Sequence, residues 1–104
     1  MLHDFRKIRL KIGKEDYTLY VAETNAERKQ GLSGIKNMPK NTGMIFCYEN
    51  EKHRTFTFRE TLIPLTIYFI DSKGKVVQKS FSYPRQYDSI TCKKPCMWVI
   101  EIPR

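Results

Sequence analysis

Residues 65–82 read Leu65-Thr66-Ile67-Tyr68-Phe69-Ile70-Asp71-Ser72-Lys73-Gly74-Lys75-Val76-Val77-Gln78-Lys79-Ser80-Phe81-Ser82. Residues 65–71 and 75–82 are rich in β-branched and aromatic side chains, which suit a pleated, half-buried surface. Between them, Asp71-Ser72-Lys73-Gly74 carries the residue types of a tight turn. The stretch is therefore a β-hairpin, and the rest of the chain has to supply strands or covering segments for it.

Working outward, residues 44–48, 54–59 and 97–102 have the same strand composition. Glu49-Asn50-Glu51-Lys52 reads as a second turn, and residues 80–95, with Pro84 and Pro95, as a long excursion between the last two strands. Near the start, Ile8, Leu10 and Ile12 alternate with Lys7, Arg9 and Lys11, the pattern of a half-buried strand with a basic outer face. Turn chemistry at residues 13–16 leads into a partner strand at 17–21. Thr24 followed by Glu27 makes a capping box that opens a short helix over residues 25–30, which Gly31 ends. Residues 32–43 hold too many helix and strand breakers for a regular element; Leu32, Ile35 and Met38 pin them down as a loop. One short helix with six or seven strands predicts a mainly β (α+β) domain over residues 1–104. The expected architecture is a small antiparallel β barrel or sandwich with the helix to one side.

At 104 residues, with 40% hydrophobic and 29% charged side chains, the chain is one domain able to build a core without metals or disulfides. Nineteen Lys and Arg against eleven Asp and Glu give a net charge of +8, which favours anionic partners or a positive field over the whole surface. Asp4 and the missing apolar run near the start predict no export signal, and residues 62–70 are too short to span a bilayer. The expectation is a soluble, cytoplasmic protein. Three cysteines, Cys47, Cys92 and Cys96, fit reduced thiols, with a Cys92–Cys96 bridge open under oxidising conditions.

Glu27-Arg28, Gly31-Leu32, Met38-Pro39 and Gly43-Met44-Ile45-Phe46 occur in that order. They are followed by Phe56, Thr61-Leu62-Ile63-Pro64-Leu65, Ile67, Phe69-Ile70-Asp71, Gly74, Val76-Val77 and Trp98-Val99-Ile100-Glu101-Ile102. This order resembles domain-of-unknown-function family 192, also uncharacterised protein family 0127, from about Tyr17 onward. The resemblance implies a compact β-rich domain and no particular reaction. Bacterial members of the family are often exported or lipid-anchored, a leader this sequence does not show. Where the family typically has Phe-Trp-Met-Lys-Asn-Thr before Leu-Ile-Pro-Leu-Asp, this chain has Phe56-Thr57-Phe58-Arg59-Glu60-Thr61, and Thr66 replaces the Asp. If that motif marks a pocket, its ligand chemistry is altered here.

The candidate ligand-binding residues are accordingly Arg28, Thr57, Arg59, Glu60 and Thr66. A guanidinium beside a carboxylate orients a polar ligand, the Arg taking carboxylate or phosphate and the Glu hydroxyls or amines. The bland alternative for Arg59 and Glu60 is a pair of solvated charges at a strand end. For Arg28 it is a structural tie from the helix to the loop at 32–43 through backbone carbonyls. Cys92-x-x-x-Cys96 approaches zinc spacing, but one pair without a partnered His does not make a metal site, so neither metal nor cofactor is expected. No nucleophile, base and acid arrangement and no phosphate-binding glycine loop can be picked out, so no catalytic residue is assigned. The favoured function is a non-catalytic binding or accessory module with a shallow polar pocket, for a small polar ligand or a protein partner. The alternatives are sequence-independent nucleic-acid binding through a basic sheet face that includes Lys7, Arg9 and Lys11, or a structural part in a larger assembly such as a phage particle.

Overall fold

The computed structural model describes residues 2–104. The 65–82 hairpin forms as its composition requires. Strand β5 (Leu65–Ile70) pairs antiparallel with β6 (Val76–Ser82), Leu65 opposite Ser82 and Phe69 opposite Gln78. Asp71 closes the turn: its Oδ1 accepts the backbone N–H of Lys73 at 3.0 Å and of Lys75 at 2.9 Å.

The hairpin is the margin of a larger sheet. The remaining elements are β1 (Arg6–Ile12), β2 (Glu15–Ala22), α1 (Asn25–Gln30), β3 (Thr42–Lys52), β4 (Thr55–Phe56), β7 (Ile90–Thr91) and β8 (Cys96–Pro103). Six strands make one sheet in the order β1-β2-β3-β8-β5-β6, and β4 pairs with β7 in a small second sheet. The architecture is mainly β and sandwich-like rather than a closed barrel, because β1 and β6 remain as the sheet's two margins. One pair departs from the antiparallel expectation: β2 and β3 run parallel, Leu19 beside Gly43 and Val21 beside Ile45. Parallel neighbours cannot be joined by a tight hairpin, so the chain must cross over, and α1 with residues 31–41 is that crossover.

The two faces of the sheet bury different side chains. On one lie Met44, Phe46, Leu65, Ile67, Phe69 and Val99, covered by Leu32, Ile35, Phe58 and Cys92 from the crossover, the β4–β5 segment and the β7 region. On the other lie Leu19, Val21, Ile45, Ile100 and Ile102, flanked by half-buried Tyr17, Tyr68 and Trp98. Two exposed edge residues on β1, Ile8 and Leu10, pair with Leu19 and Tyr17. β1 is thus an edge strand open on both faces rather than a half-buried one, its alternation notwithstanding.

Three local expectations change. Residues 49–52 are not a turn: β3 runs on for eleven residues, with a register shift against β8 between Cys47 and Lys52. The chain turns away only at His53 and Arg54, where Arg54 donates to Asn50 Oδ1 at 3.0 Å. The strand expected at 54–59 shrinks to β4, because Phe58 swings into the core at 1% exposure and Thr61 N–H closes a turn on Phe58 O at 3.0 Å. The excursion at 80–95 contains β7, which gives β4 its partner. Cys47, Cys92 and Cys96 are free thiols.

Candidate functional site

The site forms beneath α1. Thr24 Oγ1 accepts the Glu27 N–H at 3.1 Å, and Glu27 Oε1 accepts the N–H groups of Thr24 at 3.1 Å and Glu23 at 3.0 Å. These backbone donors hold the Glu27 carboxyl below the usual carboxylate range. The capping box thereby fixes where the six-residue helix starts, and with it the direction of Arg28.

Arg28 uses its guanidinium on three acceptors: Glu23 O at 2.5 Å, Cys47 O at 2.8 Å and Asn25 Oδ1 at 2.7 Å. It ties the helix to β3, not to the 32–43 loop. Its plane also lies over the Tyr48 ring, 4.9 Å from the centroid, and Arg54 covers that ring at 3.6 Å while donating to Cys96 O at 3.2 Å. Tyr48 thus has two cations over its ring. Burial nevertheless pushes its hydroxyl above the ordinary tyrosine range, outweighing the two guanidinium groups, which act to lower it.

Between α1 and the sheet is a cavity of about 240 Å³. Arg28 and Gly31 contribute from the helix side, and the rings of Phe46, Tyr48 and Phe56 make the walls. Phe46 and Phe56 meet edge-to-face with centroids 5.1 Å apart. Gly31 has φ +50°, so a side chain at this position would be strained, with its Cβ in ordinary contact with the Phe46 ring at 3.4 Å. Thr57 and Thr61 add hydroxyls from the β4–β5 segment.

Glu101 forms part of the cavity lining from the sheet. It is paired with Met44 on β3 and Ile67 on β5, so it projects from the face that carries the main core. Only 4% of it is exposed, and burial pushes its carboxyl up to about 8. Thr61, also buried, lines the same cavity, and the buried side-chain polar atom without a hydrogen-bond partner among the described residues is Ser82 Oγ on β6. Buried polar groups are normally paired. Glu101 and Thr61 bring an acid and a hydroxyl to one cavity, and burial is the sole cause of the shift at the acid.

Close approach of the strands sets Glu101 in place. A Cβ on Gly43 would lie 2.4 Å from the Glu101 carbonyl oxygen and 3.1 Å from Ile102, which explains a glycine in the Gly43-Met44-Ile45-Phe46 block.

The residues singled out from the sequence are scattered around this cavity. Arg28 and Thr57 line it. Arg59 does not: it stacks on Tyr87 at 4.2 Å, in an open depression it shares with Thr57, Asp88 and Ser89. Glu60 is exposed, and its backbone carbonyl accepts the Gly34 N–H at 2.9 Å. Thr66 lies beside Ile102 and Phe81 on the opposite face of the sheet. On β1, Lys7 sits 5.6 Å over the Tyr20 ring, Lys11 pairs with Asp16 at 3.5 Å, and Arg9 is exposed. Glu101 is not among the residues singled out from the sequence. The available signal was a lone carboxylate inside the apolar run 98–102, where alternation puts it on the same face as Val99.

A family-wide sequence profile, that of domain-of-unknown-function family 192 (DUF192, "Uncharacterized ACR"), matches residues 8–104. The chain belongs to this family. Two solved structures share the fold. One is a proposed transcription regulator from Sinorhizobium meliloti 1021, with a TM-score of 0.86, 25% identity, and coverage of 95% of this chain and 81% of that one. The other is a protein of unknown function from Novosphingobium aromaticivorans DSM 12444, with a TM-score of 0.81, 24% identity, and coverage of 95% and 73%. No curated protein matches the chain. Among the described residues no helix is long and apolar enough to cross a membrane, and no cluster of His, Cys, Asp or Glu could hold a metal ion.

Proposed function

We propose that this member of family 192 is a non-catalytic binding module whose ligand occupies the cavity between α1 and β8. The observation that carries the reading is the buried Glu101 carboxyl on that cavity, raised by burial with no charged or hydrogen-bonding neighbour among the causes, with Thr61 also in the lining. Leaving a buried donor or acceptor unpaired costs about 1–3 kcal/mol, so a ligand supplying the missing hydrogen bonds recovers that free energy on binding. The polar pocket expected from the sequence is kept in this reading, but it is centred on Arg28, Thr57, Thr61 and Glu101. Arg59, Glu60 and Thr66 stand outside it. At about 240 Å³ the cavity is smaller than the roughly 300–1,000 Å³ of drug-sized ligand pockets, so the ligand has only a few heavy atoms. No nucleophile and base stand together on its walls, which supports binding rather than chemistry.

The basic strand β1 supports the nucleic-acid alternative less well, since Lys7 is engaged with Tyr20 and Lys11 with Asp16.

The test is a titration of the ¹⁵N-labelled protein with small amines, alcohols, polyols and carboxylates. Binding at this site moves the amide resonances of α1, β3 and β8 together, and Glu101→Gln or Thr61→Val weakens it at least tenfold. Shifts scattered over the surface, or none from any probe, overturn the proposal.

A further inference from the structure

Resting on the reading of the cavity as a ligand site, the ligand class can be taken further. We infer that the cavity takes a small organic cation, a primary ammonium on a short aliphatic stem, with the ammonium on the Glu101 carboxylate and the Thr61 hydroxyl and the stem against the rings of Phe46 and Phe56.

A carboxyl deep in the sheet calls for a donor, preferably a charged one, because charge-assisted hydrogen bonds are about twice as strong as neutral ones. The protein does not provide it. From α1, Arg28 has its N–H groups on Glu23, Asn25 and Cys47, and Lys29 is an exposed residue on the cavity rim. From β3, Tyr48 is the one titratable side chain on the cavity; the neutral polar side chains on it come from Thr55, Thr57 and Thr61 and from Gln30 and Ser33. No cation of the protein therefore offsets Glu101, whose upward shift has burial as its sole cause. Aromatic walls favour a cation as well, through the negative face of each ring. An anionic ligand would set a second negative charge beside Glu101, and the cavity's size excludes a long or branched stem.

Occupancy by an ammonium requires Glu101 to give up its proton, which leaves to solvent as the ion pair forms. Below the carboxyl's titration, apparent affinity should therefore rise up to tenfold per pH unit and then level off, because the ammonium itself stays protonated to about pH 10.

The decisive experiment uses three probes of one size, n-butylamine, 1-butanol and butyrate, titrated into the ¹⁵N-labelled protein from pH 6 to pH 9. The Glu101 carboxyl ¹³C shift is followed in parallel. The expected result is that butylamine perturbs α1, β3 and β8, binds more tightly as pH rises to about 8, and drives the Glu101 carboxyl to its ionised shift. Glu101→Gln, a near-isosteric change whose folding is checked by amide dispersion, should lose the butylamine preference and its pH dependence. If butanol binds the same residues as well as or better than butylamine, with no pH dependence, the ammonium assignment falls while the cavity remains a ligand site. Binding of butyrate alone has the same consequence. If none of the three perturbs the cavity at any pH, this inference fails; the ligand-site reading falls with it only if the polyols and other probes of the broader panel also leave the cavity unmoved.

Discussion

Met44 and Glu101 stand opposite one another in the β3–β8 ladder and project from the same face, so a carboxyl occupies a register position that the neighbouring strands fill with core side chains. Met44 is completely buried, and Glu101 is nearly so. The placement is tolerable to the fold chiefly while the acid stays neutral, since burial penalises the charged form.

Stability should therefore fall with rising pH. The Glu101 carboxyl titrates at about 8 in the folded protein against the ordinary 4.5. Between those values the folded state binds the proton that the unfolded state has lost. The sign is that stability is highest below about pH 4.5 with respect to this group, declines by up to ~1.4 kcal/mol per pH unit, and stops declining above pH 8. Urea unfolding from pH 5 to pH 9 checks this. Glu101→Gln should remove that slope and be the more stable protein at pH 8; a variant with the wild-type slope refutes the assignment.

Gly43→Ala should destabilise by about 2–3 kcal/mol, because a methyl group at 2.4 Å from the Glu101 carbonyl oxygen must push β3 and β8 apart. A thermal melt measures it, and an unchanged midpoint would mean that the two strands do not approach so closely.

Arg28→Ala should cost about 1–3 kcal/mol, since it strands the Cys47 carbonyl and removes the tie between α1 and β3. Arg28→Lys should rescue little of this, as an ammonium cannot reproduce a planar fork that reaches Glu23, Asn25 and Cys47 at once while covering Tyr48. Chemical denaturation of both variants distinguishes this geometric role from a simple charge effect, for which Lys would suffice.

The thiols should react unequally. Cys92 and Cys96 are completely buried, and burial together with the neighbouring Cys92 pushes the Cys96 thiol up to about 12. Cys47 is half-buried, its thiol raised mainly by burial. A thiol reagent at pH 8 should label Cys47 first and the other two only on unfolding; equal rates in the native protein would contradict the packing.

Much of this molecule is visible in its residues because the signals are local. The turn at Asp71, the Thr24 and Glu27 capping box and the apolar run of β5 each depend on neighbours a few positions away. What escaped depends on partners far along the chain. Residues 49–52 look like a turn, yet β8 holds them as strand; the parallel pairing of β2 with β3 is decided by the crossover's path. Likewise Thr66, which stands where the family has an Asp, lies on the opposite face from Arg28's cavity, because alternation along β5 sends Thr66 away from Leu65 and Ile67. Glu101 was hidden for the same reason, its meaning arising only when Met44, Ile67 and α1 surround it.

Strand β8 lies between β3 and β5, and it alone joins the three strands from the first half of the chain to the hairpin of the second. During synthesis the two halves of the sheet must wait for residues 96–103 before they can share a common ladder, and β3 meanwhile exposes an unpaired edge rich in apolar side chains. Closure over so long a separation along the chain is slow compared with hairpin formation. The strand that carries the buried acid is thus also the keystone, so no completed cavity exists in any partly made chain.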